Sequence, residues 1–411
     1  MRRVIGMDIH RTFAEVVFWE DGKLRHFGRV DMTRAALDRF GKTLRRDDEV
    51  VVEATGNSLA VVRVLTPFVA RAVIADPLQV KAIAYAQVKT DKIDAGVLAS
   101  LHAAGFLPEI WVPTPQTERR RRLVARRNQI VRHRTRIKNE VHSILHAHLI
   151  ARCPHAELFT RPGRAWLNRQ ALPDDELAAI ERHLRELDHL GEDLAALDKT
   201  IAVEVLHDAA VKRLLTITGV NLTVAVGLMA AIGDISRFAS PQKLVSYVGL
   251  NPRVRQSGLG FAQHGRISKA GRSHARAMLV EAAWAAAKAP GPLHAFFVRV
   301  RARRGHQVAA VATARKLIVI CWHVLSKDAD YLWMRPALVA TKVRAMELQA
   351  GAPSKKGARG PAYAYNIKAL RDQEAAIAAQ AERAYEHMVA HWQPKKPMDN
   401  VRGRLKSAEH K

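Results

Sequence analysis

Cysteine is almost missing from this chain. Only Cys153 and Cys321 occur, far apart and without metal-ligand spacing, a pattern that predicts free thiols in a reducing cytoplasm rather than a disulfide or a thiolate metal site. Long apolar runs are also missing. The longest, Val220 to Ile232 and Leu317 to Leu325, are too short to span a bilayer and read as buried helices, and no charged-then-apolar signal opens the chain, so no membrane partner is expected. The third scarcity is acidic charge. Against 66 Lys and Arg stand 39 Asp and Glu, a formal net charge of +27 with a pI near 10.7. That excess is the electrostatic footprint of a protein that meets nucleic acid. The 411 residues supply material for two or three cores.

Where acids are few, the placement of four of them is informative. Asp8 ends the apolar run Val4-Ile5-Gly6-Met7. A second run, Phe13 to Trp19, the turn Glu20-Asp21-Gly22-Lys23 and a third run ending at Val30 predict a hairpin meander. Thr33 to Leu44 has helical spacing, and Glu49 to Glu53 reads as a strand broken at Ala54-Thr55-Gly56-Asn57. Asp8 and Glu53 are therefore both expected at strand ends. A helix over Ser58 to Val69, a strand over Arg71 to Ala75 and a helix opened by Lys89-Thr90-Asp91-Lys92-Ile93-Asp94 complete a mixed sheet with helices packed on it. Asp91 and Asp94, three apart, share one face of that last helix.

Each acid alone has an ordinary reading: Asp91 and Asp94 as first-turn acids facing the helix dipole, Glu53 as a strand-end residue. Together, Asp8, Glu53, Asp91 and Asp94 read as the two-metal site of a ribonuclease-H-like nuclease domain. Mg²⁺, or Mn²⁺ in its place, is the expected ion. Mg²⁺ prefers carboxylate oxygens at roughly 2.0–2.1 Å, and two ions about 3.5–4 Å apart can stabilise both the entering and the leaving oxygen of a phosphoryl displacement.

Past Pro113 and Pro115 the character changes. Arg119, Arg120, Arg121, Arg122, Arg126, Arg127, Arg132, Arg134, Arg136 and Lys138 ride on a helical pattern whose apolar positions Leu123, Ile130, Ile137 and Ile144 recur every seven residues. After breaks at Cys153-Pro154 and Arg161-Pro162-Gly163, a second long helix starts at Pro173-Asp174-Asp175-Glu176, with Leu177, Ile180, Leu184, Leu187, Leu194 and Ile201 at helical spacing. The pair suggests an α-helical coiled-coil insert. A solvated face is the plain reading of the arginines, but so many cations on one element repel one another without counter-charge, which favours phosphate tracking. His142 and His146 share a face without a third ligand, so they read as surface or seam residues rather than a zinc site.

A third module begins at Leu214. Thr216-Ile217-Thr218-Gly219-Val220-Asn221 joins two apolar helical segments and resembles a helix-hairpin-helix turn, in which backbone N–H groups hold a phosphate; any tight helix turn can also carry that glycine. Next come Tyr247-Val248-Gly249-Leu250, a loop rich in glycine and cations from Arg253 to Gly260, and Arg266-Ile267-Ser268-Lys269-Ala270-Gly271-Arg272 leading into a helix from Ser273 to Ala287. Ser257, beside glycine and flanked by Arg253, Arg255, Arg266, Lys269 and Arg272, could approach a phosphate whose charge the guanidiniums stabilise. It could equally be a turn serine, and Ser268 sits in a setting just as basic.

The Asp8, Glu53, Asp91 and Asp94 tetrad, Gly219-Val220, Ile232-Gly233-Asp234, Phe238, Tyr247-Val248-Gly249-Leu250, Ser257-Gly258 and Arg266 to Gly271 resemble, in order from about Val4 to Leu325, the transposases of the insertion-sequence-110 family. The resemblance implies a Ruv-C-like N-terminal domain, a helical linker and a C-terminal transposase domain whose nucleophilic serine is matched by Ser257. It further implies an RNA-guided DNA recombinase in which a structured RNA from the mobile element pairs with donor and target DNA. The carboxylates and serine of different protomers of a homo-oligomer, dimer or tetramer, would form one composite site. Where family members often show two serines before the glycine, this chain has Gln256-Ser257, and its tail beyond about Lys342 is longer than expected.

The expected fold class is thus α/β plus all-α: a Ruv-C-like mixed sheet domain at 1–112, a helical coiled-coil region at 113–209, a mainly helical transposase domain at 210–335, and a basic linker and tail at 336–411. Gly351 to Pro361 reads as a flexible linker and Ile367 to Met388 as a helix, either nucleic-acid binding or an appendage. Three other readings fit less of the pattern. A metal-dependent nuclease resembling a junction resolvase would leave the serine idle, an actin-like sugar kinase would need a later Gly-rich adenosine-binding turn that is not evident, and a non-enzymatic packaging protein has no use for four acids.

Overall fold

The apolar runs near the start of the chain pair into a six-stranded sheet in the computed structural model, which describes residues 2–83, 90–258, 261–353 and 366–391. Its order is β3-β2-β1-β4-β5-β6, with β1 Arg3–Ile9, β2 Phe13–Glu20, β3 Lys23–Asp31, β4 Glu49–Glu53, β5 Arg71–Ala75 and β6 Glu109–Ile110. The meander β1-β2-β3 is antiparallel, β1, β4 and β5 run parallel, and β6 closes the far edge antiparallel. Helices α1 Arg34–Lys42, α2 Ser58–Leu65, α3 Pro77–Ile83 and α4 Asp91–Ala103 complete this unit, Met1–Thr114.

Period-two alternation in the central strands sorts side chains to two faces. Ile5, Met7, Val50, Val52 and Ile74 pack with Leu37 and Phe40 of α1 and with Val61, Val62 and Leu65 of α2. Val4, Val51, Val73 and Ala75 pack with Leu98 and Ala99 of α4 on the other face. The mixed sheet between helices is the α/β unit expected from sequence. Several details differ. The Ser58 to Val69 helix ends early at Leu65 in a 3-10 turn over Thr66–Phe68, where Pro67 cannot donate the next helical hydrogen bond. Lys89 lies outside the described residues, and α4 starts at Asp91 with Thr90 as its cap, the Thr90 hydroxyl accepting from Ile93 N. Neither the seven-residue α3 nor the two-residue β6 was expected, both being too short to show a period.

Among the described residues the second unit, Pro115–Lys411, is helical apart from one ribbon. Its elements are α5 Pro115–Ala147, α6 Arg161–Leu167, α7 Asp174–Val205, α8 Ala209–Leu215, α9 Leu222–Ile232, α10 Pro241–Tyr247, β7 Pro252–Arg255, β8 Gln263–Ile267, α11 Ser273–Ala287, α12 Pro292–Arg304, α13 His306–Ser326, α14 Pro336–Gln349 and α15 Lys368–Ala390. The long helices α5 and α7 pack along one another. On α7 the expected Ile180, Leu187 and Ile201 are buried; on α5 the buried set is Val124, Ile137, Val141 and Leu145, so of the expected heptad only Ile137 is fully covered. Apolar α9, α11 and α13 form the main core with Val226, Leu228, Leu279, Leu317 and Ile318. Among the described residues α13 alone has the length and apolar composition to cross a membrane, and half of its most apolar stretch is buried in this unit.

Three expectations here need correction. Arg161-Pro162-Gly163, read as a break, opens α6: Pro162 sits in the first turn, where its missing N–H costs nothing, and Gly163 lets the backbone approach so closely that a Cβ there would lie 2.4 Å from the Glu157 and Leu158 carbonyl oxygens. The cation-rich loop after Asn251 is an antiparallel ribbon, β7 with β8. The tail helix α15 is no loose appendage, because it packs on α12 and α14 with Glu374 buried against Arg335. Residues 354–361 of the expected linker, Leu259 and Gly260 of the expected loop, and the basic end from 392 lie outside the described residues.

Gly6 is the tightest point of the first unit. A Cβ there would lie 1.9 Å from the Ala95 carbonyl oxygen of α4, a backbone atom that can yield only if the helix moves. Gly6→Ala is expected to destabilise the protein by about 1–3 kcal/mol, the usual cost of overpacking, measured by chemical denaturation; an unchanged midpoint would show that α4 is not seated on β1.

Candidate active site and nucleic-acid interface

Parallel pairing of β1 and β4 matches Met7 with Val52, so the next residues, Asp8 and Glu53, emerge side by side at the strand ends. The seating of α4 on Gly6 carries its first turn, with Asp91 and Asp94, over the same corner. The other three acids of the expected tetrad all act on Asp8. The Asp8 carboxyl is pushed up to about 6, first by burial, with Glu53, Asp91 and Asp94 adding repulsion and His10 opposing it.

His10 was not anticipated. Its Nε2 lies 3.4 Å from Asp8 Oδ2 and 3.2 Å from Asp91 Oδ2, and one ligand atom from each of Asp8, His10 and Asp91 falls within 4.8 Å of the others. That Nε2 is itself buried and makes no well-aligned hydrogen bond among the described residues, so it is an orphan donor or lone pair held between two carboxylates. Asn57 Nδ2 donates to the His10 carbonyl at 3.2 Å and fixes the turn. The signal in sequence was its place two residues after Asp8, the spacing that returns a side chain to the same face of an extended chain. A buried Asp8 that resists ionising, with Glu53, Asp91 and Asp94 repelling it and the His10 nitrogen between two carboxylates, fits a divalent cation, which would remove that repulsion.

Ser257 lies in the second unit, where the β7–β8 ribbon turns, and is exposed with Gly258 at φ +55°. Arg253, Arg255, Arg266, Lys269 and Arg272 are likewise exposed, whereas Ser268 is half-buried, its N–H donating to Asn251 O at 2.7 Å. The ribbon also exposes Phe261 and Val254. The Thr216 to Asn221 turn is otherwise employed than expected. It is mostly buried, a Cβ on Gly219 would lie 2.4 Å from Ala282 O of α11, and Lys342 Nζ donates to Leu215 O and Ile217 O at 2.7 and 2.8 Å. Its glycine serves helix packing.

Residues 211–298 match the family model described as the IS116/IS110/IS902 transposase family, and residues 5–150 match the DEDD-type IS110 transposase model. A probable family 20 transposase of Pseudomonas aeruginosa is 30% identical over 264 residues, covering 59% of this chain and 75% of that protein. The chain belongs to the IS110/IS116/IS902 family of transposases. A putative transposase of Sinorhizobium fredii is similarly related, 29% identical over 295 residues, 68% of this chain and 70% of its own. So is a pilin gene-inverting protein of Moraxella bovis, 27% identical over 263 residues, 63% and 73% of the two chains. Membership brings DNA cleavage and rejoining as the general activity.

On this transposase the basic helix α5 carries two kinds of arginine. Arg119 and Arg120 pair with Glu204 of α7 at 2.8 and 3.5 Å, Arg120 with Asp208 at 2.7 Å, and Arg127 with Asp198 at 2.6 Å. Arg122 pairs with Glu118 one turn back, and Arg121 donates to the Ala230 and Ala231 carbonyls of α9. The counter-charge that the sequence seemed to lack is thus supplied by α7, some seventy to ninety positions away in sequence. Arg126, Arg132 and Arg136 are exposed and make no ion pair among the described residues. Replacing those three by Gln should lower the logarithmic salt slope of duplex binding, by about 0.9 for each phosphate no longer neutralised, whereas Arg120→Gln and Arg127→Gln should lower thermal stability; equal slopes for wild type and the triple variant would return this face to solvent.

Asp8 also makes a pH prediction. Its folded pKa lies above its unfolded one, so without metal its contribution to stability is present at low pH and lost as pH rises through about 6. Asp8→Asn should therefore stabilise the metal-free transposase at pH 7.5, by up to about 3 kcal/mol given 1.36 kcal/mol per unit, and by little at pH 4. Added Mn²⁺ should raise the wild-type melting temperature at pH 7.5 and not that of Asp8→Asn. A variant that melts below wild type at pH 7.5 would contradict the crowding.

Proposed function

We propose that this transposase is a site-specific recombinase of its own mobile element, acting in the cytoplasm on donor and target DNA under the guidance of a structured RNA. The observation that carries the reading is the corner where Asp8, His10 and Asp91 converge, with Glu53 and Asp94 acting on Asp8. In this reading the sheet unit is Ruv-C-like and its carboxylates would hold Mg²⁺, or Mn²⁺ in its place, both ions suited to carboxylate oxygens. When bound, the ion supplies Lewis-acid stabilisation of charge on the phosphoryl oxygens.

Ser257 is the proposed nucleophile. Its hydroxyl gives up a proton as Oγ bonds to phosphorus, the scissile P–O bond breaks, and the departing strand terminus takes a proton as a free hydroxyl. Attack by the hydroxyl of the incoming strand reverses the step and frees the serine, so the phosphoserine link conserves the bond energy and no ATP is consumed. A serine hydroxyl is a weak nucleophile without help, and Ser257 has no hydrogen-bonded base among the described residues. Its activation is assigned to the carboxylate corner of a second protomer in a homo-oligomer. The same lack of a base favours, as the second reading, a junction-resolvase-like nuclease in which water attacks.

Denaturing gels and mass spectrometry of reactions on DNA bearing the element's ends separate the two. Wild type and Ser268→Ala are expected to give a DNA-linked peptide containing Ser257, while Ser257→Ala and Asp8→Asn give none. Cleavage without any adduct, or an adduct on Ser268, would instead establish the hydrolytic reading or move the nucleophile.

A further inference from the structure

Three guanidiniums from three parts of the second unit meet at the C-terminal end of α9. Arg121 of α5 donates through Nε to Ala230 O at 2.8 Å and through Nη2 to Ala231 O at 3.2 Å, and Arg237 donates through Nη1 to Ile232 O at 2.7 Å. Tyr247, at the end of α10, donates its hydroxyl to Ala231 O at 3.2 Å and accepts from Arg272 Nε at 2.9 Å. The Arg237 guanidinium also lies over the Tyr247 ring, 5.2 Å from its centroid, and Arg272 at 5.7 Å.

Two glycines hold this arrangement. Gly249 has φ +71° and a Cβ on it would lie 2.1 Å from Ala270 O; Gly271 has φ +82° and a Cβ on it would lie 2.2 Å from Tyr247 O. The Tyr247-Val248-Gly249-Leu250 and Lys269-Ala270-Gly271-Arg272 segments are thereby pressed backbone to backbone, Arg272 N donating to Tyr247 O at 3.1 Å. That approach is what brings Arg272 to the phenol.

The helix terminus needs far less charge than it receives. An α-helix C-terminus presents about half a negative charge, and three cations gather beside it, with Asp234 acting on Arg237. The strain is visible in the groups themselves. Arg121 is held below its ordinary value by burial first and then by the Arg272 charge. Tyr247 falls below its ordinary value although burial opposes it, because Arg272, Arg121 and Arg237 all favour the phenolate. Arg272 is exposed, and its Nε donates to the Tyr247 hydroxyl.

We propose that Arg237 and Arg272, held in place by Tyr247 and backed by Arg121, form a single phosphodiester-binding site that anchors one backbone phosphate of a bound nucleic acid. It rests on the nucleic-acid reading above but uses neither the carboxylate corner nor Ser257. Guanidinium pairs match phosphate geometry, and the anion relieves the mutual repulsion of the cations.

Titrating the full-length protein with a 30-base-pair DNA duplex and, separately, a 30-nucleotide RNA strand, in EDTA over a range of salt, tests this. Arg272→Gln should lower the logarithmic slope by about 0.9 on the duplex, or about 0.7 on the strand, with an unchanged melting temperature. Arg237→Gln/Arg272→Gln should lose no more than that, because both residues hold the same phosphate. A drop on the duplex assigns the site to DNA and a drop on the strand alone assigns it to RNA. An unchanged slope for Arg272→Gln on both probes, or a loss in the double variant of about 1.8, would overturn the shared site; if the double variant does not fold, Arg272→Gln alone decides. Slopes as expected without a serine adduct would sink the recombinase reading and leave this site standing, and the reverse outcome would do the opposite.

Discussion

The approach of α4 to β1 at Gly6 is the constraint on which the candidate site depends. Strand pairing alone brings Asp8 beside Glu53, which is only half of the carboxylate set. The other half arrives because a residue without a side chain lets the Ala95 carbonyl come within 1.9 Å of where a Cβ would stand, dropping the first turn of α4 over the strand ends. The resulting crowding is unfavourable for the apo fold and useful for binding a cation. The Val4, Val51, Leu98 and Ala99 core on that face offsets the repulsion.

The second unit solves the opposite problem. Its surplus is positive, and on α5 part of it is neutralised by the acids of α7 and by Asp208 just beyond it, converting a repulsive row into the interface between two long helices. The rest of the surplus is spatially sorted: exposed arginines along α5, the cationic ribbon around Ser257, and the three guanidiniums at the end of α9. A protein that contacts backbone phosphates at several places while cutting at one needs such sorting, because phosphate contacts fix register without carrying the chemistry.

Much of this was legible in the sequence where local pattern decides. Strands β4 and β5 and helix α11 start and end where the periodicity placed them, and the tetrad residues were recognisable as strand-end and first-turn acids. His10 was not, because its spacing of two from Asp8 is a weak signal until the facing helix brings Asp91 beside it. The partners of Arg119, Arg120 and Arg127 were equally invisible, being set by the packing of α5 on α7 rather than by neighbours in sequence. Glycine misled at Gly163, read as a breaker where it admits the carbonyls of the preceding loop against α6, while at Gly219 it makes room for α11, in line with the plain helix-turn reading left open beside the phosphate turn. For Gly219 the requirement comes from a helix that only the tertiary fold supplies, and for Gly163 from the loop just before it.

If the corner built by β1, β4 and α4 is a divalent-cation site, anomalous diffraction from crystals grown with Mn²⁺ will show it directly. Anomalous density is expected bonded to oxygens of Asp8 and Asp91, at the roughly 2.0–2.2 Å usual for such ligands, with His10 Nε2 turned toward it. Density confined to other carboxylates, with Asp8 and Asp91 left bare at saturating Mn²⁺, would contradict the assignment.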